Sequence, residues 1–334
     1  MNAMNTVLVF LEQREGVVKK SSIDIWNRVQ ELAALRPGTA VSALLAGPAS
    51  SRQLDGSLGG NGVVYHANEA AFKLYNPEHY TRLVVETMKK VAATALFFAD
   101  TALSRDLAPR LSVRLKASLL TGCAVDDVWG ADGGGCCQRA VYSGAAIASF
   151  APTRPLKIYT CTSRPTRSSS AITSGAQASV VVLEPSSRTR EELFPLVRRM
   201  VMHAGVRDVA EARIIVAGGR GMGSAGSFGL LEELARLLGG AVGASRAVVD
   251  EGWRPHAEQI GQTGKTVAPA LYLACAISGA PQHLAGIGSA GIVVAINCDP
   301  HAPIFDIADY ALVGDVHLLL PKLIEEFQEF LKKR

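Results

Sequence analysis

Apolar residues in this chain cluster in short runs, and between the runs they recur every three or four positions, which predicts strands alternating with amphipathic helices. Thr6–Leu11 reads as a strand. Ser22 then stands where a helix cap is expected, ahead of Ile23, Trp26, Val29, Gln30 and Ala33 at helical spacing. Val41–Leu45 is the next strand, closed by Gly47-Pro48. Gly62–Tyr65, a helix around His79–Ala93, a strand Ala95–Phe98 and a helix Asp106–Leu115 continue the alternation. From Gly130 to Ser179 the pattern weakens to short β-like runs (Arg139–Tyr142, Leu156–Thr160), and Ser163–Gly175 reads as a surface loop. Val180–Glu184 is a further strand and Glu191–Ala204 a helix.

After the short polar stretch Gly205–Glu211 the rhythm restarts. Arg213–Ala217 is a clean buried strand, followed by a glycine-rich turn and a helix with Phe228, Leu231, Leu234 and Leu238 on one side. Ala241–Gly243, Leu271–Ile277, Gly291–Ile296 and Tyr310–Val313 are four more strands, with short helices near Gln282–Ala285 and Ile304–Ala308 and a final helix running to Arg334. Short apolar strands separated by helices or long loops predict a parallel, doubly wound sheet. The chain is therefore expected to fold as two α/β domains, residues 1–205 and 206–334.

Composition narrows the function class. With 334 residues, 48% of them apolar and 19% charged, the chain has material for two packed cores. A net charge of +4 and the absence of a dense Lys/Arg stripe speak against nucleic-acid binding. No uninterrupted apolar stretch is long enough to span a bilayer, and Met1 leads straight into the first strand, so a cytoplasmic, non-membrane protein is expected. The six cysteines, Cys123, Cys136, Cys137, Cys161, Cys275 and Cys298, form no C-x-x-C and have no histidine at ligand spacing. Inert thiols in a reducing compartment are expected, and no metal site.

Candidate chemistry gathers at the ends of the later strands. Gly221-Met222-Gly223-Ser224-Ala225-Gly226 matches G-x-G-x-x-G between a strand and a helix, a turn through which backbone N–H groups can approach a pyrophosphate. A ribose-binding acid at the expected distance is not evident; Asp250 is nearest. The alternative for this motif is a tight strand–helix turn that merely packs. Arg220, Ser245-Arg246, Gln262-Thr263-Gly264-Lys265, Ser278 to His283, Asn297 and Asp315 each follow or precede a strand end, and in an open parallel sheet the carboxyl ends share one edge.

The same residues carry a family resemblance. Val242 to Ala247, Gly261-Gln262-Thr263-Gly264-Lys265-Thr266-Val267-Ala268-Pro269, Ile277-Ser278-Gly279-Ala280-Pro281-Gln282-His283-Leu284-Ala285-Gly286, Ala295-Ile296-Asn297, Asp299 to Phe305 and Ala308-Asp309-Tyr310 together resemble the FAD-binding domain of the electron transfer flavoprotein alpha subunit. The first half is similar more loosely, at Val7–Glu12, Asp106–Arg114 and Val180–Pro185, and Gly130–Cys137 departs from the usual pattern. The resemblance implies an N-terminal nucleotide-hydrolase-like α/β sandwich that contacts a beta subunit, and a C-terminal domain holding one FAD. Arg246 would lie over the flavin ring and favour its reduced, anionic forms, the Thr263 hydroxyl would reach the N5/O4 edge, and His283 would sit beside N1/O2. An exposed ion pair with Asp250 or Glu251 is the plain alternative for Arg246, and a solvated loop side chain for Lys265. Arg220, Ser245 and Ser278 would hold the pyrophosphate and ribityl chain, helped by the turns Ile260-Gly261-Gln262 and Gly279-Ala280-Pro281-Gln282. Asn297, Asp315 and Val316 would address the adenosine end. No residue is expected to be catalytic; the flavin carries the electrons.

The resemblance also implies a heterodimer whose beta subunit holds AMP, and an electron carrier rather than an enzyme. It would take electrons one at a time from flavin dehydrogenases such as acyl-CoA dehydrogenases, as in fatty acid β-oxidation, and pass them to a membrane quinone oxidoreductase. An electron-bifurcating alpha subunit using NADH, an NAD(P)-dependent oxidoreductase using the glycine-rich turn, and a non-enzymatic nucleotide-binding module are the alternatives.

Overall fold

A computed structural model of the chain describes residues 5–49, 58, 62–128, 136–141, 146–162, 178–184, 208–288 and 290–332. Among these, the residues up to Glu184 form one compact unit and those from Asp208 onward a second. The predicted helix Glu191–Ala204, the loop Ser163–Gly175 and the boundary at residues 205 and 206 lie outside the described residues.

The first unit contains β1 (Asn5–Leu11), β2 (Gln13–Arg14), β3 (Val17–Val18), α1 (Lys20–Ala34), β4 (Thr39–Ala46), β5 (Val63–Ala67), α2 (Pro77–Lys90), β6 (Ala93–Ala99), α3 (Ala102–Leu115), β7 (Ser118–Cys123), α4 (Val125–Val128), β8 (Cys137–Val141), β9 (Ala146–Phe150), β10 (Lys157–Cys161) and β11 (Ser179–Val182). Seven of these strands make a parallel sheet in the order β11-β5-β4-β1-β6-β10-β7. The alternation of side chains along β1 sends Val7, Val9 and Leu11 into a core with Ile25, Trp26 and Val29 of α1. Leu8 and Phe10 go into a second core with Leu83 and Val84 of α2 and Leu107 and Leu111 of α3. A strand covered on both faces must be apolar throughout, which is why Thr6–Leu11 shows no polar alternation.

Several local expectations change. Ser22 does not cap α1; it lies within the helix, fully buried, and its hydroxyl accepts the Glu12 N–H at 3.0 Å. The caps that do operate are Asn76, whose side chain accepts the N–H groups of Glu78 and His79, and a reciprocal Thr101/Ser104 box at the start of α3. The apolar pattern predicts neither β7 nor β9. β7 sits at the sheet edge and carries the exposed Thr121 beside Gly122, so its apolar pattern is broken. The cysteines also divide. Cys123, at the end of β7, is disulfide-bonded to Cys137 at the start of β8, with Cα atoms 5.2 Å apart. The hairpin β8–β9 folds back beside β7, and sequence spacing alone carries no trace of that approach. The expectation of buried, inert thiols therefore fails for Cys123 and Cys137, which are bonded, and for the exposed Cys136; it holds for Cys161 and Cys275, both buried, with burial pushing the Cys275 thiol up to about 12. Cys136 and Cys298 are exposed.

The second unit contains β12 (Ile214–Gly218), α5 (Phe228–Leu238), β13 (Ala241–Ala244), α6 (Arg246–Asp250), β14 (Leu271–Cys275), α7 (Pro281–Leu284), β15 (Ile292–Asn297), β16 (Tyr310–Val313) and α8 (Val316–Lys332). All five strands are parallel, in the order β13-β12-β14-β15-β16. Phe228, Leu231 and Leu234 of α5 and Val316, Leu320 and Ile324 of α8 cover one face. The other face is closed mainly by connecting segments, through Ile260, Val267, Ile277, Ile287, Ala302 and Ile304. The long loop before Pro269 is therefore a layer of the core, which explains why it contains isolated apolar residues without periodicity. Phe228 is fully buried over Gly218, where a Cβ would lie 2.6 Å from its ring. Phe228→Ala is expected to destabilise the protein by about 3–5 kcal/mol, the usual range for an aromatic-sized cavity, read as a lower urea midpoint.

Candidate functional site

The strand order places a topological switch between β12 and β14. From β12 the chain turns outward to β13, then crosses back over β12 to β14 and continues the other way. The connections leaving β12 and β14 part in opposite directions, and a crevice opens at their carboxyl ends. The two turns meet closely there. The Gly219 N–H donates to the Cys275 carbonyl at 2.9 Å, and a Cβ on Gly219 would overlap the Ala276 carbonyl. Ala276 itself takes a left-handed φ of +53°, a costly conformation for a residue with a Cβ, at the mouth of the crevice.

A cleft of about 690 Å³ occupies this edge, within the range of cofactor sites (about 300–1,000 Å³). Arg220 reaches it from the turn after β12. Ser245 and Arg246 reach it from the start of α6. Ile260, Gly261, Gln262 and Thr263 form its wall from the loop before β14, and Ser278, Ala280, Gln282 and His283 from the turn after that strand. Asn297 closes it at the end of β15. The two turns are stitched together, since the Gln262 N–H donates to the Gln282 carbonyl at 2.8 Å. Gly261 permits that approach: a Cβ there would lie 3.0 Å from the same oxygen.

Gly279, Pro281, Asp315, Val316 and Lys265, among the residues singled out by the sequence, stand outside the lining. Gly279, with a φ of +87°, packs against the Ile304 backbone. Pro281 starts α7. Asp315 accepts the His317 N–H at 2.8 Å at the start of α8, and Val316 is buried in the core beneath that helix. Lys265 pairs with Asp208 at 2.7 Å.

The glycine-rich motif acts differently from a dinucleotide fingerprint. Gly226 has nothing closer to a Cβ position than the Ser224 hydroxyl at 3.8 Å, so it is not the close-packing glycine of that fingerprint. Gly218 packs beneath Phe228 and Leu231, and Gly219 and Gly221 make the close approach to Ala276. The glycines of this turn that pack closely are therefore Gly218, Gly219 and Gly221. Asp250 lines the cleft, and its carboxylate is held by Arg246 at 3.2 Å.

Three sets of hydrogen bonds define how the cleft presents its polar groups. Gln259, 3% exposed, donates from Nε2 to the Thr263 hydroxyl oxygen at 3.0 Å, which leaves the Thr263 hydrogen available to donate outward. Asn297 donates to the Ile277 carbonyl and accepts the Asp299 N–H, tying the end of β15 to the turn after β14. His283 shares a 2.8 Å bond between Nε2 and the Tyr272 hydroxyl, and burial holds its pKa down to about 4. At neutral pH the cleft thus contains a neutral imidazole together with the guanidinium groups of Arg220 and Arg246. Sequence reasoning misses Gln259 and Tyr272. The only signal for Tyr272 is a phenol inside an apolar strand, where its hydroxyl must find a partner.

Two predictions arise from these bonds. For the FAD that the sequence resemblance implies, Gln259→Leu, which frees the Thr263 hydroxyl, is expected to weaken binding about threefold to tenfold, the value of one lost hydrogen bond. Combined with Thr263→Ala its effect should not add, in fluorescence titrations of FAD. The His283 ring stays neutral when folded but takes a proton at its ordinary 6.5 when unfolded. Its contribution to stability is complete above pH 6.5 and is lost as the pH falls towards 4, on the order of 3 kcal/mol in all. His283→Gln should flatten that part of the urea-midpoint profile.

Comparison with known proteins bears on the same region. The family model described as the electron transfer flavoprotein domain matches residues 7–187, and the one described as the electron transfer flavoprotein FAD-binding domain matches residues 208–288. The chain belongs to the electron transfer flavoprotein alpha-subunit family. A protein named electron transfer flavoprotein subunit alpha from Thermoanaerobacterium thermosaccharolyticum is 36% identical, covering 98% of this chain and 99% of its own. Protein FixB of Clostridium saccharobutylicum is 37% identical over 97% of both. The alpha subunit of Bacillus subtilis is 39% identical over 80% of both. The family consists of electron carriers rather than enzymes, and its cofactor is a flavin. Among the described residues no helix is long and apolar enough to cross a membrane.

The donor set of the cleft suits such a cofactor. It offers two exposed guanidinium groups, a directed threonine hydroxyl, two serines and glycines where a Cβ would block approach. It also holds one buried atom without a hydrogen bond, Nδ1 of His283.

Proposed function

We propose that the cleft at the carboxyl ends of β12 to β15 holds one FAD. In this reading the chain is the alpha subunit of a heterodimer whose first unit contacts the beta subunit, where AMP is bound. The complex, working in the cytoplasm, takes electrons singly from flavin dehydrogenases such as acyl-CoA dehydrogenases and passes them to a membrane quinone oxidoreductase. The observation that carries the reading is the convergence of Arg220, Arg246, Thr263 and His283, from the three connections that follow β12, β13 and β14, on one crevice at the switch point.

The flavin supplies one- and two-electron redox chemistry. The chain binds, orients and tunes it. Arg220, Ser245 and Ser278 hold the pyrophosphate and ribityl chain, and Asn297 lies towards the adenosine end. Thr263, aimed by Gln259, would donate a hydrogen bond to the flavin ring. Arg246 would supply it with a fixed positive charge, and His283 with a neutral hydrogen-bonding edge. The offset glycines argue against direct NAD(P) use, because Gly226 does not pack as a dinucleotide fingerprint requires.

The test is co-expression with the beta subunit followed by a visible spectrum and cofactor analysis. One FAD and one AMP per heterodimer are expected, with reduction by an acyl-CoA dehydrogenase and its substrate. A colourless complex overturns the reading, and two FAD molecules per heterodimer would instead mark a bifurcating protein.

A further inference from the structure

Tyr272 lies within β14, the strand beside the switch point. It is fully buried, and among the described residues its hydroxyl bonds to Nε2 of His283 alone, at 2.8 Å. His283 stands on α7, 7% exposed, on the wall of the cleft. The phenol carries one hydrogen and the neutral imidazole one more, so the pair can be arranged in two ways. If Nε2 held the ring proton it would donate to the phenol oxygen. The phenol hydrogen would then have no acceptor in a place closed to water. If the phenol donates, its hydrogen and the Nε2 lone pair satisfy one another, and the ring proton sits on Nδ1. Nδ1 is itself buried and makes no hydrogen bond of ordinary geometry. The adjoining Ile260 backbone favours protonation of the ring, although desolvation is the larger influence and keeps the ring uncharged.

We propose that Tyr272 is a positioning residue that donates to Nε2 of His283 and so fixes the imidazole in a single tautomer, with its proton on Nδ1. Tyr272 does not line the cleft; it acts through the ring. With the tautomer fixed, His283 faces the cofactor as a neutral group of one polarity, and the positive charge available to a reduced flavin comes from the guanidinium groups. That consequence rests on the FAD reading, whereas the tautomer does not.

The experiment uses the full chain co-expressed with the beta subunit, with histidine-selective ¹⁵N labelling and His283→Asn to assign the ring. At pH 7 the His283 nitrogens are expected to show a protonated-type Nδ1 and a bare Nε2. Tyr272→Phe should turn this into a mixture of tautomers. The one-electron equilibrium of the bound flavin should shift about threefold, or about 30 mV, with FAD content unchanged. A wild-type ring protonated on Nε2 overturns the proposal even if the variant does not fold. An unchanged nitrogen pattern in Tyr272→Phe overturns it as well. A complex that lacks flavin but keeps the Nδ1 proton sinks the FAD reading and leaves the role of Tyr272 standing.

Discussion

Arg246→Ala is expected to lower the one-electron potential of the bound flavin by about 60–120 mV, while changing the stability of the chain by less than about 0.5 kcal/mol. Arg246 is the first residue of α6, its side chain is 66% exposed, and it pairs with Asp250 at 3.2 Å. Such an exposed pair contributes only about 0–1 kcal/mol, so the guanidinium can turn from Asp250 towards a charge developing in the cleft at little cost. A unit charge about 4 Å from that position contributes about 4 kcal/mol at an effective dielectric of about 20, and solvent exposure reduces this to roughly 1.5–3 kcal/mol. At about 59 mV per tenfold change for one electron, that is the stated range. Spectroelectrochemical titration of the heterodimer measures it. Arg246→Lys should fall between wild type and alanine, since it keeps the charge and loses the planar fork. If the alanine variant kept the wild-type potential with full FAD, the exposed pair with Asp250 would be all that Arg246 does.

Gly219→Ala is expected to cost about 1–3 kcal/mol in stability and to reduce FAD content at least tenfold. A methyl group at this position overlaps the Ala276 carbonyl, which is backbone and has no rotamer to yield. The turns after β12 and β14 must separate, and the cleft they frame changes shape. Gly226→Ala provides the contrast. It has open space around it and falls within the G-x-G-x-x-G pattern, so a true dinucleotide fingerprint would lose its cofactor and this protein should not. FAD content and urea midpoints of the two variants decide between the two uses of the turn. Equal behaviour of the pair would refute the assignment of Gly219.

Much of the second unit is readable from the chain. Strands β12, β14 and β15 are buried for much of their length, and the short apolar runs of all five strands stand out between turns. The polar residues after them follow from the rule that parallel strands share a carboxyl edge, and Arg220, Ser245, Thr263, Ser278, His283 and Asn297 do line one cleft. The first unit is harder. β7 is an edge strand without a continuous apolar pattern, and β8–β9 is a separate hairpin outside the main sheet. The pairing of Cys123 with Cys137 depends on where that hairpin folds back.

The sequence by itself determined the order and type of most elements and the family, because burial on two faces and turn chemistry are written in local residue order. Tertiary structure alone decided the strand order, the close approach of Gly219 to Ala276, and the partners of buried polar groups such as Gln259 with Thr263 and Tyr272 with His283. The physical reason is that a hydrogen bond or a steric limit between distant segments acts over a few ångströms in space. Local periodicity says which face of a strand is buried but carries no information about which neighbour lies against it.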